Sequence, residues 1–546
     1  MQMVIQYKQL SLFYIESFYS IFFSFLPEIC LSFGLIFYFI LFLVPFFRNY
    51  KNNFYLFFII LFSTFCSLFF SFKTYNYQNL LISFYYTWFI KVFIILFVIL
   101  FVYVHYLQVN FAWKLNSKIE LDLGSKYFET NLFILVILLA GFFLLSSNDL
   151  ICIYINIEIL NICFTLICYL IYERTTIEAT LKYFFTNIFF SYFILLGICF
   201  IYFEFYTFNF SQIIQILTNF NYYLGDITYL YFQQYFFISD TNPNYFLLSS
   251  IDLLNTILIK KIRYLYFGLF FILLGLLGKI GLFPGFFWVL DVYGNISLLS
   301  NILLSIIPKI FYLILIFHIG YCFEIHMSNN FNLLLFLLLL FSGIFTIIYA
   351  VIFTLNQWRI KRFLAGSSLV NLSFLIFLIA YSFINFDLNL ISIIFFFLIV
   401  YLFNLFFFFL IYILFIQPSN LKFNYYFEDL RDFVQIRNNH KILSFLLALL
   451  ILSFVGLPPL IGFFSKLTVF YYLVSQNNFI LIFFIIIANV ISAFYYIRPI
   501  RFLFFSSSKV FGLFLIEYNL YLYLYFSFIL FFLFSFFIFD FFLYLP

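Results

Sequence analysis

The chain has 546 residues, 66% of them hydrophobic and 9% charged, with a net charge of +5 and a mean hydropathy of +1.15. No single core buries that much apolar surface in water, so a soluble domain is excluded and a polytopic membrane protein is implied. The small net charge over such a length argues against a nucleic-acid partner.

Apolar runs of about 20 residues recur from Leu26 to Leu545, each long enough to cross roughly 30 Å of hydrocarbon as a helix. They are solid rather than alternating, which selects an all-α protein over a barrel. The excess of Phe (100) and Tyr (46) follows A/T-rich codons and points to an organellar genome rather than to chemistry. The first 25 residues show neither a cleavable signal nor an Arg-rich transit peptide, as expected of a protein inserted where it is made. Seven cysteines without a CxxC indicate neither a metal cage nor a disulfide framework, and they read as small hydrophobes.

Fourteen spans are predicted, at 26–47, 54–73, 85–106, 130–147, 150–172, 180–205, 264–285, 297–320, 331–355, 363–383, 388–416, 442–472, 478–504 and 517–544. Residues 1–25, with Lys8, Gln9 and Glu16, read as an interfacial helix. The 107–129 and 417–441 connections are mixed-charge loops, and 207–262 is an insertion with a short amphipathic opening, SQIIQILTNF. Lysine and arginine concentrate in loops that follow odd-numbered spans, such as Arg359, Lys361 and Arg362. Those loops are therefore expected inside and both termini outside.

Spans 7 and 12 are broken by Gly and Pro, at GKIGLFPG and GLPPLIGFFSK, with Lys279 before the first break and Lys466 after the second. Proline removes an intrahelical hydrogen bond, so the freed backbone groups must face protein or water. Matching breaks five spans apart predict two inverted repeats, spans 4–8 (residues 130–320) and spans 9–13 (331–504). They are flanked by an N-terminal segment with spans 1–3 (1–129) and a C-terminal span 14 (517–546).

One intramembrane carboxylate, Glu158 in span 5, and three intramembrane lysines, Lys279, Lys309 and Lys466, form the series expected of a proton or ion path. A lysine trades protons near neutrality only if its surroundings oppose the charged form by about 4 kcal/mol; burial does this and an approaching carboxylate reverses it. A Glu158–Lys279 pair would thus act as a switch. The alternative is structural ion pairing between helices. Glu178 and Lys182 stand one turn apart and suit an i, i+4 pair, either on the surface or in the path. Glu28 reads as an interfacial charge and His318 as a packing residue.

Six ordered motifs carry a resemblance: NDLICIYINIEIL, EATLKYF, GKIGLFPGFFWVLDVY followed by SIIPK, QWRIKRFLAGSSLVNLSFL, LSFVGLPPLIGFFSK and ANVISAFYYIRPIR. From Pro27 to about Arg501 the chain resembles the subunit 2 family of antiporter-like proteins in proton-pumping NADH:ubiquinone oxidoreductase, respiratory complex I. The lysine at 466, and an end just beyond span 14, fit the subunit 4 and subunit 5 families less well. The resemblance implies a proton-translocating subunit of the mitochondrial inner membrane, organelle-encoded, with both termini in the intermembrane space. Its partners would be the other membrane-arm subunits, including subunit 4 and the small core membrane subunits, and the lipid bilayer. NADH, FMN, iron–sulfur clusters and ubiquinone would belong to other subunits, with no metal or cofactor site here. Glu158 and Lys279 would be the coupling pair, Lys309 the central relay and Lys466 the outlet or terminal relay. Where the family has histidines, this chain has Phe286 and Asn371. Water, or Asn371, Ser367 and Ser368, is then expected to bridge. A cation/proton antiporter subunit and a non-pumping membrane spacer are the rival readings.

Overall fold

A computed structural model describes residues 25–42, 50–71, 85–115, 120–170, 174–216, 264–324, 329–384, 388–415, 429–434, 441–458 and 460–505. Predicted span 14, the interfacial helix before Leu26 and most of the 207–262 insertion lie outside the described residues.

The described chain is helical. Its elements are α1 (Leu26–Phe42), α2 (Tyr50–Ser71), α3 (Tyr85–Leu115), α4 (Glu120–Ser146), α5 (Leu150–Tyr169) and α6 (Arg174–Phe205). They continue with α7a (Tyr264–Ile280), α7b (Phe286–Asn295), α8 (Leu298–Glu324), α9 (Asn329–Leu355), α10 (Ile360–Tyr381) and α11 (Leu388–Phe415). The last are α12a (Lys441–Val455), α12b (Ile461–Ser475) and α13 (Phe479–Phe504). Ten of these are long and apolar enough to cross a membrane, and the chain is a multi-pass membrane protein.

One predicted loop is corrected. α3 runs to Leu115 and α4 starts at Glu120, so most of 107–129 is helix, and the boundary set at 129/130 falls inside α4. Hydropathy marks the hydrocarbon-crossing part of a helix, whereas ELDLGSKYFET continues the helix with polar residues that need not enter lipid.

α8 and α10 form the centre: in their most apolar 18-residue stretches, 94% and 100% of the residues are buried by the surrounding helices. The outer helices α6 and α13 turn Phe185, Phe189, Phe203, Phe483 and Phe494 outward, as a lipid-facing surface allows.

Both breaks end in the same local structure. Gly281 (φ 88°) follows α7a, and its N–H and that of Leu282 both return to the Leu277 carbonyl. Gly456 (φ 85°) follows α12a, and its N–H and that of Leu457 both return to the Leu452 carbonyl. A glycine supplies the left-handed conformation that ends a helix this way. Two short antiparallel bridges also correspond: Asp149, ahead of α5, pairs with Asn209 beyond α6, and Arg359, ahead of α10, pairs with Asp429 beyond α11.

Candidate functional site

α5 and α7a meet at the first charged contact. Lys279 lies in the last turn of α7a, its side chain wholly buried, and its Nζ stands 3.1 Å from Oε1 of Glu158, which keeps 28% of its side-chain exposure. The carbonyl of Gly278, at the break, accepts the Gly281 N–H at 3.2 Å and the Trp288 indole N–H at 2.9 Å. Trp288 reaches it because Gly285 lets α7b approach: a Cβ there would lie 2.6 Å from the same carbonyl oxygen.

Asn161, one turn after Glu158 on α5, extends this contact. Its amide N–H faces Glu158 Oε1 at 3.5 Å, and its amide oxygen accepts the Tyr312 hydroxyl at 3.1 Å. Tyr312 lies on α8 one turn beyond Lys309, so the side chains lead from the α5 carboxylate to the α8 lysine helix. Sequence reasoning missed both residues, although each is three positions from a predicted charge, the spacing that places side chains on one helix face.

Lys309 is buried beside Pro308. Proline offers no N–H to the carbonyl four residues back, Leu304. The Tyr293 hydroxyl donates to that carbonyl at 3.3 Å, which brings the Tyr293 ring centroid to 5.1 Å from Lys309 Nζ. The lysine itself donates to Ser368 Oγ on α10 at 3.2 Å. Ser367 directs its hydroxyl to the Leu364 carbonyl at 2.9 Å. Beyond Ser368 a cavity of about 20 Å³ opens between α10, α11 and α12, with Asn371, Tyr401, Asn404, Ser453, Ser465 and Lys466 contributing its polar lining. That volume admits one water. Lys466 Nζ donates to the carbonyls of Phe454 and Val455, at 2.8 and 2.9 Å, across the α12 break.

Several predicted residues stand elsewhere. Glu178 and Lys182 pair at 2.9 Å, with side chains 66% and 45% exposed, and Lys182 also reaches Asp291 of α7b at 3.5 Å. This is a surface cluster, away from the buried series. Phe286, in place of the expected histidine, packs its ring 4.0 Å from that of Tyr349 on α9. His318 is half-buried, its ring 6.4 Å from that of Phe210. Asp149, in the turn before α5, has its carboxyl pushed above the usual range by burial.

Glu28 requires a correction. It is not interfacial: it is 1% exposed and ion-paired to Lys91 of α3, itself 5% exposed. Lys91 is a fourth intramembrane lysine, set in the apolar run YYTWFIKVFIILFV. Its signal was that of the other three, without a helix break to mark it.

Residues 147–492, the stretch that contains every member of the buried series, match the family described as NADH:quinone oxidoreductase/Mrp antiporter, TM. The chain belongs to this family. Among relatives, NADH-quinone oxidoreductase subunit N of Pelagibacter ubique is 26% identical over 45% of this chain and 49% of its own length. NADH-ubiquinone oxidoreductase chain 2 of Rhizopus oryzae is 31% identical over 42% of this chain and 43% of its own. Chain 2 of Marchantia polymorpha is 25% identical over 71% and 69%. The chain thus spans about half the length of the first two and about two thirds of the third. A chain of respiratory complex I from Thermus thermophilus superposes with a TM-score of 0.64 at 15% identity, covering 93% of this chain and 96% of that one. A chain of the archaeal membrane-bound sulfane sulfur reductase gives 0.69 at 17% identity over 96% and 95%. A chain of the Mrp complex from Dietzia gives 0.63 at 12% over 89% and 81%. At these identities the three structures establish a shared fold.

Proposed function

We propose that the chain is the subunit 2 type of antiporter-like, proton-translocating membrane subunit in a NADH:quinone oxidoreductase, located in the mitochondrial inner membrane. The antiporter-like core comprises two inverted repeats, α4–α8 and α9–α13; the paired glycine-capped breaks and paired bridges support that reading. One observation carries the function: buried polar side chains run from Lys279 and Glu158 through Asn161 and Tyr312 to Lys309, Ser368 and the Lys466 cavity. Intramembrane ionisable groups so connected are the signature of proton transfer.

In this mechanism, quinone reduction elsewhere in the complex changes the protonation or spacing of the Glu158–Lys279 pair. While the carboxylate stands at 3.1 Å the lysine holds its proton; withdrawn, it leaves an ammonium without counter-charge, which sheds the proton. Asn161 orients rather than relays, because an amide accepts and donates hydrogen bonds without exchanging its protons readily. The moving charge passes by Lys309 and Ser368 to the cavity and Lys466. Electron transfer and its cofactors belong to other subunits.

Replacing Lys279 by alanine in the assembled complex tests this reading. NADH oxidation with lowered proton pumping is expected; normal assembly with unaltered pumping overturns it. The likeness in fold to a chain of the Mrp complex favours a second reading, a cation/proton antiporter. Exchange of Na⁺ for H⁺ by the purified chain in vesicles, without a redox partner, would select it.

A further inference from the structure

The Glu28–Lys91 pair lies outside the proposed repeats and has no part in the series described above. Both side chains are nearly sealed from solvent, at 1% and 7% side-chain exposure. Glu28 shares Oε1 with the lysine, but its Oε2 is buried and has no hydrogen-bond partner among the described residues. A buried acceptor without a donor is destabilising. A buried ion pair, moreover, is weak evidence of a stabilising role, since two apolar residues of similar volume often serve as well or better. A carboxylate oxygen that is buried and lacks a donor among the described residues is, chemically, a position that can take a proton.

We propose that Glu28 and Lys91 form a second proton-binding site of this chain, with Oε2 of Glu28 as the atom that takes the proton. Uptake converts the carboxylate to a carboxylic acid with the new O–H at Oε2, while Oε1 remains a carbonyl acceptor for Lys91; no other bond changes. The pair then carries one net positive charge, on Lys91. The face of Phe142 on α4 receives that charge: its centroid is 5.6 Å from Nζ, within the range of cation–π attraction.

The surroundings are otherwise apolar or neutral. Glu28 sits in the first turn of α1. α1 carries Cys30 at the same level, and α2 carries the thiol Cys66 toward the same end. Other ionisable groups of the packed helices, Tyr38 on α1, Lys51 and Tyr55 on α2, Tyr103, His105 and Tyr106 on α3, and Tyr127 and Glu129 on α4, lie toward the opposite helix ends. Trp88, one turn before Lys91, directs its indole N–H to the Leu68 carbonyl at 2.7 Å and leaves Oε2 alone. On its other side α3 packs against α11 through Phe93 on Phe403 and Phe97 on Phe406. α11 also supplies Tyr401 and Asn404 to the Lys466 cavity, so one helix separates the two sites.

The test is infrared difference spectroscopy across a pH step, on the assembled complex reconstituted in vesicles, comparing wild type with Glu28→Gln. The wild type is expected to gain a protonated-carboxyl band that the variant lacks. Identical difference spectra overturn the proposal. Should Glu28→Gln fail to assemble, Lys91→Arg keeps the ion pair and changes its geometry. The band then moves in frequency or in the pH at which it appears, and an unmoved band overturns the proposal. Lys279→Ala in the same vesicles tests the repeat reading separately, since its readout is pumping and the Glu28 band is indifferent to it.

Discussion

The Glu158–Lys279 contact predicts an asymmetric double-mutant cycle. Glu158→Gln strands an ammonium whose side chain has no exposure, and removing one partner of such a buried pair costs about 3–5 kcal/mol. Lys279→Met strands a carboxylate that keeps 28% of its exposure and faces the Asn161 amide, so water and one hydrogen bond offset the loss. A cost of about 1–2 kcal/mol follows, nearer that of a partly exposed group. The double variant buries no charge and is expected within about 1 kcal/mol of wild type. At 1.4 kcal/mol per factor of ten, Glu158→Gln should shift the folding equilibrium at least about fivefold further than Lys279→Met. The assay is survival of assembled complex on graded heating, with pumping measured in vesicles on the same preparations. Equal costs for the single variants, summing in the double, would refute the buried pairing. A double variant that regains both stability and full pumping would leave the pair structural and refute its role as a switch.

Three further outcomes follow from named contacts. At Gly462, where an added Cβ would stand 1.8 Å from the Ser453 carbonyl oxygen, alanine should cost about 3 kcal/mol or more, because a backbone atom cannot turn aside; unchanged thermal survival would count against the packing of α12a on α12b. Trp288→Phe removes one of the two donors to the Gly278 carbonyl and should cost about 0.5–1.5 kcal/mol; the same heating assay reads it. Tyr312→Phe and Asn161→Leu should lower protons pumped per NADH while leaving electron transfer to an artificial acceptor intact; pumping at the wild-type ratio in both would remove Asn161 and Tyr312 from the path.

The helices and both breaks were legible because each has a strong local cause: unbroken hydropathy for the spans, and Gly with Pro for the interruptions. What was not legible depends on which helix faces which. Glu28 stands two residues into α1, where a sequence cannot say whether a side chain meets headgroups or another helix; the answer is Lys91, 63 positions away. Asn161 and Tyr312 looked like ordinary polar and aromatic residues until α5 and α8 were brought together. These two side chains line the way from Glu158 toward the Lys309 helix. The ends of α3 and α4 were misjudged for another reason, since hydropathy falls where lipid ends and helices do not.

The two broken helices differ in one respect that bears on direction. Lys279 lies at the C-terminal end of α7a, whereas Lys466 sits in the second turn of α12b and reaches its ammonium back to the C-terminal end of α12a; at each such end the carbonyls make a negative pole worth roughly half a charge. In α7 two neutral donors, the Gly281 N–H and the Trp288 indole, take the Gly278 carbonyl, and the ammonium of Lys279 goes to Glu158. In α12 no tryptophan intervenes, and the ammonium of Lys466 itself takes the carbonyls of Phe454 and Val455. A carboxylate partner can be neutralised by one proton or drawn away by a side-chain rotation, whereas backbone carbonyls can do neither. In the proposed mechanism Lys279 is therefore the lysine whose hold on its proton a remote event can switch. Lys466 offers a fixed affinity that empties only when the α12 break rearranges or water reaches it through the Asn371 cavity. A path with its switch at the carboxylate end and its constant site at the carbonyl end has a built-in sense, from Glu158 toward Lys466. Exchanging the two capping arrangements, by moving the tryptophan to the α12 break, should remove that sense before it removes the fold.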